Sequence, residues 1–235
     1  MTTAEPGLQN PYTAPHFESS ALITIDVQRD FLSDAPYGVP GTTEILPALR
    51  RTAASFRAAG RPVVHVVRLY EEGGGNADPV RRRLLESGVR IVAPGTRGSE
   101  LAAGLLPEGA PALDPGLLLS GRPQRLGPYD HAVFKPRWGA FYRTCLEELL
   151  GELGVDTLVF AGCNLPNCPR ASIMQASERD FRVALVRDAV SRVTDSALTE
   201  LAGIGVEILD TAALEGLPAG PAHAEGSGTG GARSL

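Results

Sequence analysis

Cys168 stands in the stretch Phe160-Ala161-Gly162-Cys163-Asn164-Leu165-Pro166-Asn167-Cys168-Pro169-Arg170-Ala171-Ser172, and its surroundings suit a nucleophile. The apolar run 158–161 reads as a buried parallel strand. It stops at a glycine and a turn-rich segment, after which the cysteine is followed at once by Pro169. Proline suits the first position of a helix because its missing N–H would find no partner there. Cys168 is therefore expected at the mouth of a helix, just past the C-terminal end of a strand. Open α/β sheets place their chemistry at such points, and the field of a helix N-terminus favours thiolate over thiol.

Two ionisable residues occupy equivalent places. Asp26 ends the apolar strand 21–25, and Lys135 ends the strand 131–134. Core packing does not explain a carboxylate there, because an unpaired buried charge is expensive. A thiol, an acid and an ammonium on one sheet edge divide the work of acyl transfer. Asp26 would take the thiol proton and later activate water, and thiol reactivity near neutral pH is expected to depend on it. Lys135 would hold thiolate and carboxylate by charge. Backbone N–H groups near the helix mouth would meet the developing oxyanion.

The elements that must position these residues alternate along the chain. Strands are expected at 21–25, 62–69, 131–134, 157–161, 183–187 and 206–209, with helices at 42–59, 142–153, 169–179 and 195–202. Asn76 is expected to cap a further short helix reaching residue 85. Segment 87–128 is rich in Gly and Pro and resists assignment. Such alternation implies an α/β fold with three αβα layers, a parallel sheet and helices on both faces. Residues 1–17 read as an N-terminal extension, 18–215 as the folded domain and 216–235 as a disordered Gly/Ala/Ser-rich tail.

Composition narrows the function. The chain has 235 residues, 43% of them hydrophobic, and a formal net charge of −5. No basic stripe points to nucleic acid, and no apolar run is long enough for a membrane helix. The polar N-terminus lacks the regions of a signal peptide. Three cysteines form no disulfide framework, so a cytoplasmic protein is expected.

Taken together, the motifs resemble the isochorismatase-like cysteine hydrolases, a superfamily that includes nicotinamidases, N-carbamoylsarcosine amidohydrolases and streptothricin hydrolases. The carriers are Asp26-Val27-Gln28 with Phe31, Lys135-Pro136 with Gly139 and Phe141, Gly162 through Cys168 to Ser172, and Asp180 to Val183 with Asp188-Ala189. The resemblance implies a six-stranded parallel sheet ordered 3-2-1-4-5-6 and an Asp–Lys–Cys triad at Asp26, Lys135 and Cys168. It also implies a cis peptide at Cys163-Asn164 that turns the Asn164 N–H toward the same oxyanion as the Cys168 N–H. Relatives form dimers or tetramers, so a homo-oligomer is expected. Pro169 and Ser172 stand where relatives often carry Val and Thr. Nicotinamidases bind a divalent metal through an Asp-x-His-x-x-His cluster, and His16, His65, His131 and His223 make no such cluster. The expectation is thus a metal-independent, cofactor-free hydrolase of a small amide, lactam or ureido substrate.

Several residues carry second readings. Gln28, Phe31, Trp138 and Phe141 are expected to contact substrate, though Trp138 and Phe141 fit a core equally well. Arg68 and Tyr70, at the end of the second strand, stand behind them. Cys145 reads as helix packing and Cys163 as loop structure, since zinc would need about four ligands. Two alternatives to amide hydrolysis remain, a vinyl-ether hydrolase of isochorismatase type and a non-catalytic binding or assembly module. A nicotinamide-dependent oxidoreductase is disfavoured, because Asp26-Val27-Gln28 follows the first strand where Gly-x-Gly-x-x-Gly would be needed.

Overall fold

The strands are the chain's apolar runs: β1 (Ser20–Ile25), β2 (Val63–Val67), β3 (Gln124–Arg125), β4 (Asp130–Phe134), β5 (Thr157–Gly162), β6 (Arg182–Val190) and β7 (Glu207–Leu209). The helices are α1 (Leu46–Ala58), α2 (Pro79–Glu86), α3 (Pro115–Leu119), α4 (Leu146–Glu152), α5 (Cys168–Ser177) and α6 (Asp195–Ala202). They come from a computed structural model that describes residues 10–218. The sheet order is β3-β4-β2-β1-β5-β6-β7. Its six parallel strands, counted in chain order, run 3-2-1-4-5-6 as expected. The sheet nevertheless has seven strands, because β3 pairs antiparallel with β4 at the edge. Two residues flanked by loop are too short to show any periodicity, so this strand lay hidden in segment 87–128.

Both faces of the central strands are covered, which is why they read as continuous apolar runs. Successive side chains of a strand point to opposite faces. On β1, Ala21, Ile23 and Ile25 pack with Leu149 and Leu150 of α4, Ile173 and Ala176 of α5 and Leu201 of α6. Leu22 faces the other layer, with Leu49, Ala53 and Phe56 of α1 and Leu118 of α3. β5 repeats the pattern, with Leu158 and Phe160 in the first layer and Val159 and Ala161 in the second. Phe56 is wholly buried, and truncating such a side chain costs about 3–5 kcal/mol.

The helix boundaries carry one correction. Asn76 does not cap α2; its side chain instead accepts from the Glu71 N–H and donates to the Leu69 carbonyl, holding the turn before the helix. Asp78 takes the N-cap place, and its carboxylate bonds no helix N–H. It is used elsewhere. The described part of the N-terminal extension is pinned to the start of β5, where His16 Nδ1 meets Asp156 Oδ2 at 2.8 Å. The tail expected to be disordered falls outside the described residues from 219 onward. Among the described residues no helix is long and apolar enough to cross a membrane.

One buried polar chain ties the sheet to α1. His65 Nδ1 meets the Thr24 hydroxyl at 2.8 Å and its Nε2 meets Asp130 Oδ1 at 3.1 Å. Arg57 closes the chain on Asp130 Oδ1 at 2.6 Å. A neutral ring satisfies both contacts, donating to Asp130 and accepting from Thr24. Burial holds the His65 ring below its ordinary 6.5, against the pull of Asp130. His131 is lowered too, first by burial and then by Arg125. Below pH 6.5 the unfolded chain therefore binds protons that the folded protein refuses, and stability drops as pH falls. Denaturant unfolding at pH 7.5 and 5.5 is expected to show lower stability at the acid value. H65Q is expected to remove part of that difference; an unchanged pH dependence would contradict a neutral buried ring.

Candidate active site

Strand order reverses around β1, which lies between β2 and β5, and the crevice at such a switch point is the natural binding place of an open sheet. Asp26 is the first residue past β1. It adopts a left-handed backbone (φ 52°), which costs a non-glycine residue about 1–3 kcal/mol. Its N–H donates to the Val66 carbonyl at 2.9 Å, and the Lys135 N–H, just past β4, donates to Val67 at 3.0 Å. The backbone of β2 thus carries both side chains to one point. There Lys135 Nζ donates to Asp26 Oδ2 at 2.7 Å, with Lys135 at 0% exposure and Asp26 at 4%. Asp26 Oδ1 has no hydrogen-bond partner among the described residues.

The third arm depends on a glycine. At Gly162 (φ 116°) a Cβ would sit 2.3 Å from the Ile25 carbonyl oxygen, so only glycine lets the end of β5 cross this close to β1. The Cys163 N–H then donates to that carbonyl at 2.8 Å. The Cys163-Asn164 peptide is cis. Cys168 opens α5, with Pro169 in the first turn. Neither the Asn164 N–H nor the Cys168 N–H has an acceptor among the described residues.

Burial pushes the Cys168 thiol above its ordinary range, and the adjacent Asp26 charge adds to the rise, while Lys135 and Arg68 oppose it. At neutral pH the resting group is a thiol. This corrects the expectation from the helix mouth alone, where burial was not visible. Burial likewise pushes the Cys163 thiol up to about 11.

The loop after Lys135 is locked to α5. Ala140 N–H donates to Ser172 Oγ at 3.0 Å, and that hydroxyl donates to the Cys168 carbonyl at 2.7 Å. Phe141 N–H donates to Gln175 Oε1 at 3.0 Å. A Cβ at Gly139 would lie 2.3 Å from the same oxygen. Ser172 therefore registers the Lys135 loop against the Cys168 helix, a role for which its hydroxyl suffices without the methyl of a threonine.

Asp26, Cys168, Cys163 and Asn164 line one cavity of about 350 Å³. Its walls include Phe31, Val39, Val80, Leu84 and Trp138, so Phe31 and Trp138 stand where a substrate would touch them. Lys135 lies behind Asp26 and does not line the cavity. Two expectations are corrected. Gln28 is fully buried; its amide donates to the Arg68 and Ser99 carbonyls and accepts from the Arg68 N–H. It is a strap between backbone segments, because a side chain with all its polar atoms satisfied has none left for substrate. Phe141 turns into the core against Phe181, ring centroids 5.7 Å apart.

Arg68 is the residue whose importance the sequence understated. It is 2% exposed, lines the cavity, and brings Nη2 to 3.8 Å from Cys168 Sγ. Its signal was position: it follows the end of β2 as Asp26 follows β1 and Lys135 follows β4. Burial opposes its charge, yet Asp26, Tyr70, Cys168 and Asp78 together hold the guanidinium above its ordinary value.

The residues present do not fit the divalent metal of nicotinamidases. Asp26 is already paired with Lys135, and Asp78 with Arg68. Among the described residues no three His, Cys, Asp or Glu side chains cluster in a ligand set.

The molecule is a three-layer α/β protein with a thiol, a carboxylate and two cations gathered at its switch point. An isochorismatase-domain family model matches residues 20–114 and 121–213, and the chain belongs to that family. It is 30% identical to a protein described as a probable inactive nicotinamidase of Arabidopsis thaliana, over 83% of this chain and 93% of the relative. It is 28% identical to the ureidoacrylate amidohydrolase RutB of Methylobacterium radiotolerans, over 86% of this chain and 81% of the relative. Among solved structures, an isochorismatase family protein from Desulfovibrio vulgaris superposes with a TM-score of 0.71 at 32% identity, covering 83% of this chain and 96% of that one.

The close crossing at Gly162 makes G162A a sharp test of the geometry. It is expected to lower stability by about 2 kcal/mol or more, as strained or overpacked positions do, and to displace the loop bearing Cys168. Unchanged thermal unfolding would contradict the close approach.

Proposed function

We propose that this protein hydrolyses a carbon–nitrogen bond other than a peptide bond, in a small amide, lactam or ureido compound, through a covalent acyl-enzyme on Cys168 and without a metal. The observation that carries the reading is that Asp26, paired at 2.7 Å with Lys135 behind it, lines one small cavity together with the buried Cys168 thiol. The RutB relative is named for an amidohydrolase reaction, which agrees with it. A retained cysteine favours acyl transfer over vinyl-ether hydrolysis, which needs no acyl-enzyme.

The residues divide the work as follows. Asp26 accepts the thiol proton as the sulfur attacks the carbonyl carbon and the S–C bond forms. The carbonyl oxygen becomes an oxyanion, met by the free N–H groups of Asn164 and Cys168. The C–N bond breaks as the proton on Asp26 passes to the departing nitrogen. Water then gives its proton to Asp26 and its oxygen to the acyl carbon, the S–C bond breaks, and the proton on Asp26 returns to the sulfur as the thiol re-forms. Lys135 keeps Asp26 oriented and offsets charge throughout. The buried Asn164 Oδ1, which has no partner among the described residues, is left to accept from an amide N–H of the substrate. Phe31 and Trp138 supply the walls.

C168A is expected to fold normally and to lose turnover across a panel of amides, lactams and ureido compounds followed by mass spectrometry. Turnover retained in C168A, or in wild type after stoichiometric iodoacetamide labelling of Cys168, refutes the reading. D26N is expected to lower turnover by about 10²–10⁴-fold, the usual worth of a positioned acid–base. Its thiol, however, is expected to alkylate at least as fast as in wild type, because a negative charge that raises it is gone. That outcome differs from the loss of thiol reactivity expected from the sequence, and labelling of D26N near neutral pH decides between the two. Full turnover in D26N would remove Asp26 from proton transfer.

A further inference from the structure

We propose that Arg68 is a fourth catalytic group, a buried guanidinium that shares with Lys135 the stabilisation of the Cys168 thiolate and is held in place by Asp78. The inference rests on the cysteine-hydrolase reading and adds a residue to it.

Three geometric facts support it. Arg68 Nη2 points at the nucleophile, 3.8 Å from Cys168 Sγ. The same guanidinium brings Nε to 4.0 Å from Asp26 Oδ2, so it borders the acid as well as the thiol. Its Nη1 lies 2.8 Å from Asp78 Oδ2. That contact is held by charge rather than direction, since neither atom makes a well-aligned hydrogen bond. A long cationic side chain is not taken out of water to be left with unused donors unless something else engages them. Here Nε and Nη1 have no aligned hydrogen-bond acceptor among the described residues, their carboxylate neighbours engage them by charge alone, and the residue lines the cavity.

The charge balance gives the reason. Two buried carboxylates, Asp26 and Asp78, face two buried cations, Lys135 and Arg68, so the resting site with a neutral thiol is balanced. When the proton moves from Cys168 to Asp26, one negative charge moves from carboxylate to sulfur. Lys135 sits on the carboxylate side, 2.7 Å from Asp26, whereas Arg68 reaches the sulfur. A cation on each side keeps the transfer level. Asp78 is a positioning residue. Its place at the start of α2 explains why a good N-cap residue bonds no helix N–H. No bond forms or breaks at Arg68, and the proton transfer is unchanged.

The test is the pH dependence of iodoacetamide labelling of Cys168, read by mass spectrometry. Iodoacetamide is neutral, so a lost cation cannot alter its approach by charge. The groups facing the thiol are Asp26 from the end of β1, Arg68 and Tyr70 from the end of β2, and Lys135 from the end of β4. Cys163 faces it from the loop after β5, and Asp78 and Arg81 from α2. Only Arg68 is changed in R68M, and R68M/D78N keeps buried charge balanced should R68M fold poorly. Both are expected to move the labelling profile to higher pH and to slow labelling at pH 7 by about tenfold or more, one unit of thiol acidity. R68K, which keeps a charge, is expected to fall between them and wild type. A profile in R68M or R68M/D78N matching wild type overturns the proposal and leaves the cysteine-hydrolase reading standing. Failure of Cys168 to label in wild type overturns both.

Discussion

The ion pair between Lys135 and Asp26 governs the rest of the site. Both residues are cut off from solvent, and a buried pair is stable only while both partners remain, since breaking one costs about 3–5 kcal/mol. Each member is the first residue beyond a parallel strand, and both are registered by the backbone of β2. The sheet cannot shift register at this edge without separating them. The pair therefore links the precision of the fold to that of the chemistry. It also accounts for the left-handed backbone at Asp26, a local cost that the pairing offsets.

Around this pair the protein builds a site of balanced charge in a largely apolar cavity. Burial raises the thiol of Cys168 and disfavours a free thiolate; in the proposed reaction the nucleophile is therefore generated in place by proton transfer rather than stored. A thiolate kept permanently at the helix mouth would attack oxidants and alkylators as readily as substrate. In the proposed reaction a buried thiol beside a base would react only when a substrate displaces water and presents a carbonyl. Gly162 and Ser172 serve the same end from outside the chemistry, one by allowing β5 to cross β1, the other by tying the Lys135 loop to α5.

The strong apolar runs of β1, β2, β4 and β5 were legible because strands covered on both faces need no alternation. Alternation gave the parallel sheet, while the order of the six parallel strands came from the family resemblance. The antiparallel β3 was not legible, because two residues carry no period. Asn76 misled because a good capping side chain has other uses: the turn before α2 claimed it, and Asp78 took its place. Gln28 and Phe141 sit in motif positions beside chemistry, yet one straps backbones together and the other fills the core. A side chain's direction depends on neighbours distant in sequence, and no spacing rule conveys it.

The chain by itself determined the parts and their places: a thiol at a strand-to-helix turn, a carboxylate and an ammonium at strand ends, and the family those motifs resemble. These are local facts, encoded in runs of apolar residues and in glycine and proline punctuation. Only the tertiary structure decided that Lys135 reaches Asp26 rather than solvent, that burial raises the Cys168 thiol, and that Arg68 reaches its sulfur. Those outcomes depend on distances between segments 100 and 109 residues apart and on how much water each group has lost. Electrostatic energy is set by separation and solvation, and neither is a property of local sequence.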